Sequence, residues 1–315
     1  MLFQVKRIGL LTSYPTIFFM ITAWFSAPVQ SATFEVSNAA ELIESLSLAE
    51  SNAEDDTILV KGNILTINER IYLEKADLYK IHITGSDNSS GLVINSDYAL
   101  VVQSTLVTNS PTVRISNLNV ESTSGDGSLI SSNAPVILED IVAKDMLSLA
   151  LSTYQYANIT ASRLHGTNIG IAFDAGGTAG SRKDIHISDS VFIDSVVVAA
   201  LSGNGGQNVY IDNSDISYPS GTDTSWCIGK VNYGSTFRIL NTSVSLCKNV
   251  LYAGYQVELS ILGSRFKNIS ETAISGQLGR EWRLESNLFK DTAKIMHHNR
   301  YRELGITFIN NTVIN

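Results

Sequence analysis

The chain has 315 residues, 44% of them hydrophobic and 17% charged, with 30 Asp and Glu against 22 Lys and Arg for a net charge of −8. That length and apolar content allow a sizeable core, while the acidic balance excludes general nucleic-acid binding, which needs a basic surface. Its two cysteines have no C-x-x-C spacing, which excludes a zinc or dithiol redox site.

Residues 1–31 stand apart at the start. Lys6 and Arg7 precede an apolar run from Ile8 to Ala27, and Val29-Gln30-Ser31 offers small residues for cleavage. This predicts a secretory signal peptide. Thr12, Ser13 and Pro15 break the run and argue against an uncleaved anchor. Cleavage leaves 20 basic and 30 acidic residues, a net charge of −10. The mature protein is expected to be secreted, periplasmic or at the cell surface, with no membrane association.

Residues 32–55 predict a strand and a capping helix. Thr33-Phe34-Glu35-Val36 alternates, Ser37 or Asn38 can cap, and Ala39 to Leu46 has helical composition. Asp56 to Val60 resumes the β pattern. An amphipathic helix at this place closes the open core and unpaired edges of a solenoid end.

From Val113 to Ile306 one short pattern occurs nine times: apolar, any, apolar, any, a turn-former, a small polar residue, any, apolar. The copies are VRISNLNV from Val113, VILEDIVA from Val136, ANITASRL from Ala157, IHISDSVF from Ile185 and VYIDNSDI from Val209. FRILNTSV from Phe237, LSILGSRF from Leu259, WRLESNLF from Trp282 and ITFINNTV from Ile306 complete the set. Their starts lie 23, 21, 28, 24, 28, 22, 23 and 24 residues apart. A period in the low twenties with short strands marks a solenoid. The fifth places are Asn117, Asp140, Ala161, Asp189, Asn213, Asn241, Gly263, Ser286 and Asn310. Most are residues that tolerate a left-handed backbone, so each can turn the chain sharply.

The sixth places are Leu118, Ile141, Ser162, Ser190, Ser214, Thr242, Ser264, Asn287 and Asn311, a candidate interior ladder. A third apolar stretch follows in most units, at Leu149–Leu151, Ile169–Ile171, Val196–Val198, Ile228, Val250–Tyr252, Ala273–Ile274 and Ile295–Met296. Three strands per turn predict an all-β fold, a right-handed parallel β-helix forming one domain over 32–315 behind its N-terminal helical cap. Its core should include Ile115, Leu138, Ile159, Ile187, Ile211, Ile239, Ile261, Leu284 and Phe308. Cys227 and Cys247 fall on adjacent coils, where they can either bridge or pack as small apolar groups.

The opening Phe34-Glu-Val-Ser-Asn-Ala-Ala-Glu-Leu, followed by Asp55-Asp-Thr-Ile-Leu-Val-Lys-Gly62, resembles that of the alginate lyase and chondroitinase B family of pectin-lyase-like β-helices. The family form is V-x-N-x-x-E-L, then G-D-T-I-x-L-x-x-G, and Asp55 stands where its glycine is expected. The resemblance implies a polysaccharide lyase acting by β-elimination, and calcium as a cofactor on that ground alone. The family's catalytic lysine and arginine motifs and its calcium-ligating acidic cluster match no run here.

If the strands stack in register, the second place forms an outward column: Arg114, Ile137, Asn158, His186, Tyr210, Arg238, Ser260, Arg283 and Thr307. The fourth place adds Asp212. His186, Tyr210, Asp212 and Arg238 thus gather as candidate catalytic residues: a cation to stabilise an enolate-like charge and titratable groups to move the proton. An ordinary exposed sheet face is the competing interpretation. Arg283, His297, Arg300 and Arg302 form a second basic cluster, a candidate binding patch for an acidic sugar. Asp145, Asp194 and Asp291 recur ten places into their copies and read as turn residues, so no metal site is assigned.

Two functions fit. The first is an exported carbohydrate-active protein of the polysaccharide-lyase type with an acidic polysaccharide as partner. The second is a non-catalytic rod binding glycans or proteins, with end-to-end self-association at its uncapped end.

Overall fold

Nine residues in left-handed backbone set the shape of the molecule. In a computed structural model, residues 31–315 are described except 53, 76–78, 105–112, 153–156, 175–182, 201–206, 221–225, 232–233, 279 and 301–304. Within it Asn117, Asp140, Arg163, Asp189, Asn213, Asn241, Gly263, Ser286 and Asn310 all hold φ between 49° and 59°. A single residue of this kind redirects a strand without a loop. In one coil, strand Gln207–Asp212 turns at Asn213 into Asp215–Ser217, and Gly229–Val231 forms the third side.

Each side pairs with its counterpart in the next coil, and every pairing among the described residues is parallel. Ile185, Val209, Phe237, Leu259, Trp282 and Ile306 make one continuous column on the first sheet. Strands Val113–Ser122 and Val136–Met146 run through the turn and join the first sheet to the second. The third sheet has ten strands. This is the expected parallel β-helix, and Ala32–Asn315 is one compact unit. The predicted signal peptide lies outside the described residues. No described helix is long and apolar enough to cross a membrane.

One repeat is displaced from its predicted register. Val136 pairs with Ile159, and Thr160, not Asn158, pairs with His186. The copy therefore starts at Ile159, and the early intervals become 23, 23 and 26 residues. Ala157, Ile159 and Ala161 are all buried, so apolar alternation fits both registers. Arg163 takes the left-handed position that was assigned to Ala161. Its guanidinium donates to both carboxylate oxygens of Asp140 one coil earlier, at 2.6 and 2.8 Å, which anchors a residue with no intrinsic preference for that backbone. Likewise the third strand of this coil is Phe173–Asp174, because Ile169 ends the second-sheet strand His165–Ile169.

Eight of the nine expected core residues are at most 1% exposed, from Ile115 to Leu284. Phe308 is the exception at 43%, with Ile309, Val313 and Ile314 similarly open. Their coil is covered from one side only, so an inward position no longer means a buried one. At the other end the helix Ala39–Ser51 runs past the predicted Leu46 and puts Leu42, Leu46 and Ala49 into the core. Asn38 Oδ1 accepts from the Glu41 N–H at 3.0 Å, and Glu41 Oε2 accepts from the Ser37 N–H at 2.7 Å. This reciprocal cap satisfies the unpaired first-turn N–H of Glu41 and the Ser37 N–H just before the helix.

The interior polar ladder forms over the later coils. The N–H of Ser190, Ser214, Thr242, Ser264 and Asn287 each donates to the side-chain oxygen of the next member, ending at Asn311. Each hydroxyl donates in turn to the carbonyl two residues back. These groups are buried, so the ladder removes desolvation penalties that would otherwise oppose folding. Arg163 displaces Ser162 from the turn, and Leu164 takes the ladder position there; its N–H donates to Ser190 Oγ at 3.1 Å.

Cys227 and Cys247 form a disulfide across adjacent coils. Both are 1% exposed, so the bridge also fills the core. The structure thereby selects between the two alternatives open in the sequence.

Lys183 is an unforeseen interior charge. It is 1% exposed, and its ammonium donates to the Ser152 carbonyl at 2.7 Å. Burial pushes its pKa down to about 8, with Asp174 opposing. The folded protein thus releases this proton before the unfolded chain does. Between about pH 8 and the ordinary 10.5 the unfolded state binds more protons, so this group makes stability rise with pH and fall again on acidification. Denaturant titrations of the parent and Lys183→Met are expected to show the parent gaining on the variant across that window. A stability difference independent of pH would contradict the assignment.

Candidate functional site

In each copy on the first sheet the first and third residues face the core and the second and fourth face outward. His186, Tyr210 and Arg238 stand directly opposite one another on three consecutive strands, continued by Thr160 on one side and by Ser260 and Arg283 on the other. Asp212 lies two residues beyond Tyr210, in register with Ser188 and Leu240. Neighbours across strands are ~4.8 Å apart and neighbours along a strand ~7 Å apart. All four predicted catalytic candidates are therefore on one face of three adjoining coils.

The rings of His186 and Tyr210 stack at 4.4 Å between centroids and 10° between planes. Burial, reinforced by the Asp184 charge and opposed by Arg238, holds the Tyr210 phenol above its usual pKa, so it keeps its proton. Burial also raises the Asp212 carboxyl, against the opposing charges of Arg238 and His186 and with help from Asp189. Asp212 Oδ1 is shielded from solvent and accepts no hydrogen bond among the described residues.

Arg238 differs from the other arginines of its column. Arg114 pairs with Glu139, and Arg283 donates to Glu285 at 3.0 Å through Nε. Arg238 has no hydrogen bond or ion pair among the described residues and is exposed. An unpaired guanidinium beside a titratable stacked pair can receive an anion and stabilise developing negative charge.

The second predicted cluster does not assemble in the same way. Arg283 lies on the first sheet, in strand Trp282–Glu285, whereas His297 lies on the third, opposite Ser275. Arg300 ends the His297 strand, and Arg302 lies outside the described residues. The two groups belong to different sides of the coil, which adjacency in sequence conceals. Asp145, Asp194 and Asp291 occupy a second series of left-handed turns, with φ of 52°, 48° and 51°. Among the described residues no three His, Cys, Asp or Glu side chains converge as metal ligands. The calcium implied by the resemblance finds no fitting donor set there, and no step below passes through it.

A groove of about 430 Å³ on the second sheet was not foreseen. Ile64, Leu92, Val93 and Val142 form its apolar lining, with Glu121 and Lys144 at the rim. Its lining comes from four strands, with Ile64, Leu92, Glu121 and Val142 each on a different one.

No family model matches this chain, and neither does any curated protein. Among solved structures, the tailspike protein of Acinetobacter baumannii phage AM24 matches with a TM-score of 0.61 at 11% identity, over 93% of this chain and 54% of the tailspike. The PL6 family alginate lyase AlyGC matches with a TM-score of 0.50 at 15% identity, over 90% of this chain and 40% of the lyase. The chain thus spans about half or less of either protein. At these identities the likeness is one of fold, and the chain has the pectin-lyase-like parallel β-helix fold.

Proposed function

We propose that the protein is an exported polysaccharide lyase whose site is the His186–Tyr210–Arg238 face. The observation that carries this reading is the unpaired Arg238 beside a stacked His–Tyr pair, with the orphaned Asp212 oxygen at hand. A uronate carboxylate would sit on Arg238. His186 would take the proton α to that carboxylate, and the C–H electrons would form the ring double bond as the C4–O bond breaks. Tyr210, still protonated, would give its proton to the departing glycosidic oxygen. The Asp212 carboxyl, its Oδ1 shielded from solvent, would steady the positive charge of Arg238 and of His186 once it holds the proton.

The resemblance of the opening residues and the alginate lyase among the structural neighbours support an acidic polysaccharide as substrate. The Cys227–Cys247 bridge supports export, because such bonds persist in oxidising compartments. Incubation with alginate, pectate and chondroitin sulfate should produce ultraviolet absorbance from the unsaturated product. No product across that panel, with and without calcium, would refute the lyase reading.

A second reading rests on the exposed apolar residues of the coil that holds Phe308. Phe308, Ile309, Val313 and Ile314 are each more than 40% exposed, and Phe308 extends a ring stack with Phe289 at 6.3 Å. End-to-end association of a glycan-binding rod would bury this surface. Sedimentation is expected to show concentration-dependent dimers that Phe308→Glu abolishes. A monomer at all concentrations would exclude it.

A further inference from the structure

The outward face of the second sheet carries charge that no side chain among the described residues compensates. Lys267 and Lys290 stand directly opposite each other on strands Arg265–Ile269 and Leu288–Thr292, with Arg265 two residues before Lys267. All three are exposed, and none has a hydrogen bond or ion pair from its side chain among the described residues. Like charges opposed across a sheet are unfavourable. Elsewhere Lys61, Arg70, Arg114, Arg163, Lys248 and Arg283 each face a carboxylate.

The acids nearest the strip do not neutralise it. Asp291 follows Lys290 at the left-handed turn, and Asp215 stands two strands back from Arg265 in its column. Glu271 is engaged by Lys248 at 3.5 Å and by Asn249 at 2.9 Å. Ser243 and Ser245 adjoin Arg265 and Lys267 in register and add half-buried hydroxyls. Cations beside hydroxyls suit a polymer that bears both anionic groups and hydroxyls.

We propose that Arg265, Lys267 and Lys290 form a second polysaccharide-binding strip, for carboxylate- or sulfate-bearing chains, separate from the first-sheet site. The acidic surface around it repels polyanions and confines binding to the strip. Nucleic acid or an anionic membrane would call for a broader basic surface than three side chains provide.

Salt elution from alginate-coupled and heparin-coupled resin tests this. Lys267→Gln/Lys290→Gln should leave at lower salt than the parent, with the slope of log affinity against log salt reduced by roughly 1.5. The resin showing the larger loss identifies carboxylate or sulfate as the preferred group. Lys61→Gln/Lys144→Gln removes equal charge elsewhere and should elute like the parent. Equal elution of the parent and the Lys267/Lys290 variant, or equal weakening in both double variants, would overturn the proposal. An equal loss on DNA-cellulose would assign the strip to polyanions in general and overturn it as a polysaccharide site. The strip's share of retention is read as the difference between Arg238→Ala and Arg238→Ala/Lys267→Gln/Lys290→Gln, so failure of the first-sheet chemistry leaves this result standing. A triple variant that elutes with Arg238→Ala would mean one shared site and refute the separation.

Discussion

Trp282→Ala is expected to destabilise the protein by about 3–5 kcal/mol, the usual cost of truncating a large buried aromatic side chain. Trp282 is fully buried in the column between Leu259 and Ile306, and its indole N–H donates to the Val257 carbonyl at 3.3 Å. Truncation leaves both a cavity and an unpaired acceptor. In a solenoid each coil is held by its neighbours, so the damage should remain local. Hydrogen exchange should show lost protection from residue 282 onward, with the column from Ile185 to Phe237 little changed. Uniform loss along the rod would contradict this one-dimensional account, and unchanged protection throughout would contradict the burial argument.

Arg238→Ala should lower turnover by about 100-fold or more, the scale seen when one group stabilising transition-state charge is removed. Its folding stability should stay within about 0.5 kcal/mol of the parent, because an exposed side chain with no hydrogen bond or ion pair is little used in the fold. Initial rates from ultraviolet absorbance and a thermal melt measure the two quantities separately. Retained turnover in this variant, with loss in Arg300→Ala/Arg302→Ala, would move the assignment to the second basic cluster. A strand-borne site remains the stronger expectation, since stacking fixes the spacing of His186, Tyr210 and Arg238.

The candidate site was partly legible in the sequence for a specific reason. His186, Tyr210 and Arg238 occupy the same place in three successive copies, and repeat identity translates directly into a shared column. What could not be read was their condition. The ring stack, the orphaned Asp212 oxygen and the freedom of Arg238 depend on side chains two dozen residues away. Arg283 shows the contrast: the same column position, but neutralised by Glu285. The second-sheet groove had no motif at all, because its lining residues, Ile64, Leu92, Glu121 and Val142 among them, come from four strands that meet only across coils.

By itself the sequence determined the architecture, the left-handed turns, the inward column and the later polar ladder. These follow from alternation and turn chemistry within a few residues, repeated often enough to override individual exceptions. Tertiary structure alone decided the start of the coil at Ile159, the Cys227–Cys247 bridge, the exposure of Phe308 and the separation of Arg283 from His297. Each depends on which residues meet across coils, and that register is set by strand pairing through connections of unequal length. A two-residue shift at Ala157 preserves apolar alternation while exchanging Asn158 for Thr160 beside His186. Local periodicity specifies a face; only hydrogen bonding between coils specifies the neighbour on it.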